Sequence, residues 1–205
     1  MSSLVTHNDL VSIEEYFRRE AASDVKHDYI NGRALAMAGG SPTHSLVTAN
    51  IIREAGNRLK GKPCRVYDSN TLLGIPNSPY THYPDASVIC GELQLDRRDP
   101  RGHTVTNPTV VFEVLSPSTE KYDRTAKFDH YRDLPAFREY VLVFQDRREI
   151  HTFFRHDDGM WAFNVITVAA MVRLHSVQID LSIDEIYDGV TFPTPESDAP
   201  ASSLT

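Results

Sequence analysis

The stretch Val110-Val111-Phe112-Glu113-Val114-Leu115 decides how this chain folds. All but one of its residues are apolar, several are β-branched, and the run is too short for a helix of its own. It therefore reads as a strand buried on both faces at the centre of a sheet. The exception is Glu113. A carboxylate inside such a strand costs several kcal/mol unless it is protonated, paired or neutralised by a cation. Upstream, Ala86-Ser87-Val88-Ile89-Cys90 is a second compact β-branched run, and Pro84-Asp85 stands at its start. Asp85 and Glu113 thus sit on strand segments able to pair in one sheet. Oxygen donors from neighbouring strands are what a hard divalent cation such as Mg²⁺ or Mn²⁺ prefers. A structural role is also open, in which Glu113 accepts from a buried tyrosine or pairs with an arginine.

Working outward, Tyr140–Phe144 reads as another strand, turned by Asp146-Arg147-Arg148 into Ile150–Phe154. Further strands are expected near Trp161–Thr167 and Met171–His175, with Trp161 and Phe163 as core residues. A helical pattern runs from Asp123, read as its N-cap, to Asp133. Ser12-Ile13-Glu14-Glu15 and Ser182-Ile183-Asp184-Glu185 are capping boxes; the first predicts a helix over Ile13–Ala22. Asn31-Gly32 between two extended stretches predicts a type I′ hairpin. Val47, Ile51, Ala55 and Leu59 recur at helical spacing and mark one apolar stripe. Pro63–Ile75 reads as one or two strands, Pro76–Thr81 as a turn-rich loop, and Glu92–Asn107 as a polar, mobile loop. Pro, Ser, Thr and Ala dominate from Thr191 onward, which predicts a disordered tail over 189–205. The expected fold class is α/β (α+β), one domain over 10–188 with a central mixed β-sheet flanked by helices.

The 205 residues are 40% hydrophobic and 24% charged, a composition that folds and fits one domain. Lys and Arg number 21 against 28 Asp and Glu, a net charge of −7. An acidic chain is no general nucleic-acid scavenger; it needs a local basic rim or metal ions. No apolar run approaches the ~20 residues of a membrane span, and Met1–Asp9 lacks the marks of a signal peptide. Cys64 and Cys90 are far apart in sequence, which argues against a disulfide framework or a thiolate zinc site. A reduced, cytoplasmic protein is the expectation. Gly39-Gly40-Ser41 lacks the lysine of a phosphate-binding loop, and no G-x-S-x-G occurs. The nine histidines show no metal-ligand spacing. His44, at the start of the second helix, is either a site residue or a cap.

Taken together, Tyr83-Pro84-Asp85-Ala86-Ser87-Val88, Val111-Phe112-Glu113-Val114-Leu115-Ser116-Pro117-Ser118-Thr119, Asp123-Arg124 with Lys127 and Tyr131, and Glu139-Tyr140-Val141-Leu142-Val143 resemble the Uma-type family of restriction endonucleases. So do Asp28-Tyr29-Ile30-Asn31-Gly32 and Met37-Ala38-Gly39-Gly40-Ser41 with His44. That family belongs to the PD-(D/E)xK nuclease superfamily, and the resemblance spans Ile13 to Asp188. It implies a restriction-endonuclease-like domain, DNA as substrate, a homodimer, and metal-dependent phosphodiester hydrolysis. Asp85 and Glu113 would be catalytic and, with Asp28, hold Mg²⁺ or Mn²⁺.

The parent motif places its lysine two residues after the acid, on the same strand face. Here that position is Leu115. The resemblance points to Lys127 on the following helix as the replacement, its long stem carrying the ammonium back over the site; the plain alternative is a solvated helix lysine. Tyr131, on the same helix face, is expected to pack on the sheet with its hydroxyl in reach of the acids. The competing function is a silent member of the fold that binds nucleic acid or oligomerises. Removing Lys127 is expected to slow cleavage while leaving folding nearly intact.

Overall fold

The computed structural model describes residues 10–168 and 170–192. The segment beyond Phe192, where the tail is expected, lies outside the described residues; Val190 and Phe192 still rest against the core.

The chain opens with α1 (Ile13–Glu20), whose N-cap Ser12 accepts from the Glu15 amide. The reciprocal half of that box is absent, because the Glu15 carboxylate turns to Arg18 and Arg19. Next come β1 (His27–Ile30) and β2 (Arg33–Ala36), joined by Asn31 and Gly32 at φ 49° and 86°, as a type I′ turn requires. Helix α2 (Pro42–Arg58) buries Val47, Ile51 and Ala55, the stripe read from the sequence. Strands β3 (Cys64–Asp68), β4 (Leu73–Gly74), β5 (Tyr80–His82), β6 (Ala86–Cys90) and β7 (Pro108–Leu115) follow. After a short α3 (Glu120–Tyr122), residues Asp123–Lys127 form a π-helical turn that runs into α4 (Phe128–Arg132). Strands β8 (Glu139–Phe144), β9 (Ile150–Arg155), β10 (Trp161–Ile166), β11 (Met171–Leu174) and β12 (Ile179–Ser182) lead to α5 (Ile183–Ile186), opened by the complete Ser182–Glu185 capping box.

The main sheet has six strands in the order β10-β9-β8-β7-β6-β3, and only the β7–β8 pair is parallel. It is a mixed sheet with β7 inside it, as the apolar run implied. Alternation along β7 separates two cores. Val110, Phe112 and Val114 face α2 and α5, whereas Val111 and Leu115 join Phe128, Tyr131, Phe137 and Tyr140 on the α4 side. Trp161 packs against this second core, while Phe163 is half exposed. A smaller antiparallel sheet, β2-β1-β5-β4, leans on α1 through Tyr16, Phe17, Tyr29 and Tyr83. The active-site candidates lie where the two sheets meet.

Four expectations are corrected. The turn-rich segment runs into β5 at Tyr80, a strand that pairs with both β1 and β4. The Glu92–Asn107 loop is pinned rather than loose: Arg98 donates to Asp96 and to the Ile75 and Ser78 carbonyls, and Asp99 accepts from Thr104 and the Arg101 amide. The helix carrying Lys127 begins before Asp123, because Ser116 accepts from the Thr119 and Glu120 amides and starts the first turn early. Cys64 and Cys90 are not free thiols. Antiparallel pairing of β3 with β6 sets them directly opposite each other, and they form a disulfide. Sequence separation is no barrier to cross-strand neighbours, so the expectation of a reduced protein fails for this pair.

Candidate active site

Asp85 precedes β6 and Glu113 lies within β7, and the register Ala86↔Phe112 continues by one step to bring the two acids opposite each other. Asp85 Oδ2 also accepts from the Val114 amide at 2.7 Å, which fixes the carboxylate at the sheet end. Both line a cleft of about 560 Å³ whose wall includes Asp28, His44, Tyr122, Asp123 and Lys127. The structure therefore brings all four sequence-predicted site residues, Asp28, Asp85, Glu113 and Lys127, to one cavity.

Lys127 reaches this cavity from the π-helical turn. Its Nζ lies 2.7 Å from Glu113 Oε1 and 3.6 Å from Asp123 Oδ1, and only 5% of the residue is exposed. The solvated alternative is thereby excluded. Leu115 shares a strand face with Glu113 but is buried in the aromatic core, so the ammonium arrives from the helix and not from the strand. Insertion of a residue into a helix by a π turn recurs at functional sites. Tyr131 does both things expected of it: the ring is in the core, and the hydroxyl donates to Glu113 Oε1 at 3.3 Å.

Acids outnumber cations in the cavity, and titration follows. Burial pushes the Glu113 carboxyl well above its ordinary range; Lys127 opposes this, and Asp123 and Asp85 add to it. Asp123 is raised for the same reason, burial first, with Lys127 and Thr119 opposing. Burial alone would lower Lys127, but the carboxylates of Glu113, Asp123 and Asp28 hold it above the ordinary lysine value, and it stays protonated. A cluster of this kind takes up a proton or a cation.

Two further groups shape the site. Ser41 caps α2 by accepting from the His44 amide, and the His44 ring lines the cleft 3.2 Å from Asp85 Oδ2. That hydrogen bond raises the imidazole's pKa against burial, which lowers it. Asp28 is a buried part of the cleft lining, where Oδ1 accepts from the Tyr83 amide and Oδ2 meets His82 Nδ1 at 2.9 Å. Burial works against its charge, yet His82, Lys127 and the Tyr83 amide outweigh it and hold the carboxyl below the usual range. The sequence reading missed His82, His130, Asp123 and Tyr122. Tyr122 presents a buried hydroxyl with no hydrogen-bond partner among the described residues beside the acids. Asp123 and Tyr122 carry a signal in hindsight, since they lie at the start of the turn that delivers Lys127; the histidines carry none.

The donor chemistry suits a hard cation. Among the described residues no three His, Cys, Asp or Glu side chains form a ready-made cage. Mg²⁺ rarely asks for one: it keeps several waters and takes one or two carboxylates plus substrate phosphate. Asp85 and Glu113 fit that requirement. Both oxygens of Asp28 are already hydrogen-bonded, so it fits a role through a bound water better than direct contact.

Residues 13–184 match the family described as "Uma2: Putative restriction endonuclease". An uncharacterized protein of Synechocystis sp., slr1290, is 36% identical over 183 residues, covering 89% of this chain and 94% of its own length. A second from that organism, sll1609, is 30% identical over 158 residues, covering 77% and 88%. The crystal structure of "a putative nuclease belonging to DUF820" from Anabaena variabilis superposes with a TM-score of 0.66 at 15% identity, covering 83% of this chain and 96% of that one. At that identity the likeness speaks for the fold, a restriction-endonuclease-like one. By its match over most of its length, the chain belongs to the Uma2 family.

Proposed function

We propose that this protein is a metal-dependent endonuclease that hydrolyses phosphodiester bonds of DNA. The observation that carries the reading is Lys127 Nζ at 2.7 Å from Glu113, opposite Asp85, in a chain whose strand has lost the motif lysine. Asp85 and Glu113 would hold Mg²⁺ or Mn²⁺, with Asp28 gripping a bound water. The cation, when bound, neutralises the acids, holds the scissile phosphate and lowers the pKa of a water. Lys127, fixed by Glu113 and Asp123, orients the attacking water or stabilises negative charge gathering on the phosphoryl oxygens. His44 adds a hydrogen bond at Asp85, and the Tyr122 hydroxyl offers another donor to the substrate side of the cleft.

Purified protein incubated with supercoiled plasmid and Mn²⁺ or Mg²⁺, beside Asp85→Ala, tests this. Nicking by wild type that the variant and EDTA abolish supports it. Intact plasmid under all metal conditions, with RNA equally untouched, sinks it. We also propose a twofold homodimer, the simplest closed assembly that offers two sites to two strands; sedimentation showing monomer alone at micromolar concentration would refute it. Among the described residues no helix is long and apolar enough to cross a membrane.

A further inference from the structure

Behind Asp28 runs a chain of groups that hydrolysis does not touch. His82, fully buried on β5, meets Asp28 Oδ2 through Nδ1 at 2.9 Å and His130 Nδ1 through Nε2 at 3.0 Å. The two imidazoles lie nearly parallel, 2° apart in plane, and His130 stacks in turn on Tyr80 with ring centroids 3.5 Å apart. The carboxylate can only accept, so His82 Nδ1 carries the proton and donates to Asp28. His82 Nε2 is then a lone pair that accepts from His130 Nδ1–H. Burial disfavours charge on both rings.

Three elements meet in this chain. Asp28 belongs to β1 and His82 to β5, both in the small sheet, while His130 belongs to α4. The same helical segment, through Lys127 and Tyr131, grips Glu113 of the main sheet. Asp28 and Glu113 both line the cleft. The His82–His130 contact therefore joins the small sheet to the helical segment that holds Glu113.

We propose that His82, backed by His130, is a positioning residue that sets the Asp28 carboxylate toward the divalent cation and its waters. This rests on the metal-dependent reading above. Groups that orient carboxylates and waters around an ion typically change its affinity 10–100-fold when removed.

Mn²⁺ alone is the probe, titrated calorimetrically into wild type, Asp28→Asn, His82→Leu, His82→Asn, His130→Ala and the double variant Asp28→Asn/His82→Leu, with each fold checked by circular dichroism. We expect Asp28→Asn and His82→Leu each to weaken Mn²⁺ binding about tenfold. The double variant should be no weaker than Asp28→Asn, because His82 acts through Asp28. His82→Asn, whose amide nitrogen can stand where Nδ1 stands, should recover most of the affinity, and His130→Ala should lose part of it. A role in folding alone gives no such rescue and no such non-additivity. Wild-type affinity in a folded His82→Leu protein, or additive losses in the double variant, overturns the assignment while leaving the metal site standing. Wild type that binds no Mn²⁺ overturns both readings together.

Discussion

Lys127 Nζ and Glu113 Oε1 are 2.7 Å apart, with side chains only 6% and 5% exposed. A pair so buried is set by geometry: both groups line the cleft with little freedom, and the ammonium is held against the strand acid. Two consequences follow for Lys127→Ala. Removing a charge that acts in the transition state is expected to lower cleavage by ~10²–10³. The expectation that folding stays nearly intact needs revision, since breaking a buried pair on one side typically costs about 3–5 kcal/mol. Glu113 can relieve part of that by holding a proton. Lys127→Ala should therefore melt several degrees lower, and Glu113→Gln/Lys127→Met should regain stability without activity. A Lys127→Ala protein that cuts plasmid at the wild-type rate refutes the assignment.

The surplus of carboxyls makes stability and metal binding depend on pH in a stated sense. In the unfolded chain Glu113 and Asp123 titrate in the ordinary range; folded, both hold their protons to higher pH. Between those values the folded protein binds more protons. Their contribution to stability is thus fully present at acid pH and is lost as pH rises through the folded values. A divalent cation competes with those protons. Saturating Mn²⁺ is expected to raise the melting temperature more near pH 8 than near pH 5. Equal shifts at both pH values would mean that the ion binds elsewhere.

Much of this site is legible in the sequence because its physics is local. Glu113 is conspicuous as a charge in an apolar strand, and Asp85 as the acid at the next strand's start; pairing the strands makes them neighbours. Lys127 is different. Nothing in its own surroundings distinguishes it from a solvated lysine, and a π-helical turn has no residue signature, so only the family resemblance singled it out. Asp123 looked like a cap because its residue type suits one, yet Ser116, whose hydroxyl accepts from the Thr119 amide and whose carbonyl accepts from the Glu120 amide, starts the helix earlier. His82 stayed hidden because Pro76, Asn77, Ser78 and Pro79 read as loop, and a strand of three residues leaves no periodicity. The disulfide was hidden for a related reason: partners across a sheet are set by register, which spacing does not reveal.

The Cys64–Cys90 bridge closes a loop of 26 residues and ties the edge strand β3 to β6. Loop-closure entropy puts the stabilisation at about 3 kcal/mol. For a domain of this size that is roughly 6–12 °C in melting temperature. Reduction, or Cys64→Ser/Cys90→Ser, should lower the transition by that amount. The active-site acids should be little affected, since the bridge lies at the opposite end of the β3–β6 pairing from Ala86. Free thiols titrating in the unreduced native protein would contradict the bridge.

Gly40 gives a probe of the cleft that leaves the core alone. A Cβ built on it would lie 2.7 Å from His44 Nδ1 and 3.0 Å from His44 Cγ, too close for either atom to remain where it is. The backbone there is not in the left-handed region, so Gly40→Ala carries no conformational strain of its own. The side chain that yields is the His44 imidazole, the far end of a rotatable bond, and it must turn away from Asp85 Oδ2. Displacing a group by about 1 Å near reacting atoms can cost 10²-fold in rate. Gly40→Ala should therefore slow cleavage by up to about 10², as should His44→Ala, with the melting temperature within about a degree of wild type. The comparison separates two roles for His44. If the imidazole matters through its hydrogen bond to Asp85, the two variants agree, and adding His44→Ala to Gly40→Ala costs nothing more. If Gly40→Ala cuts normally while His44→Ala does not, the ring has another place to work from, and the Asp85 contact is incidental.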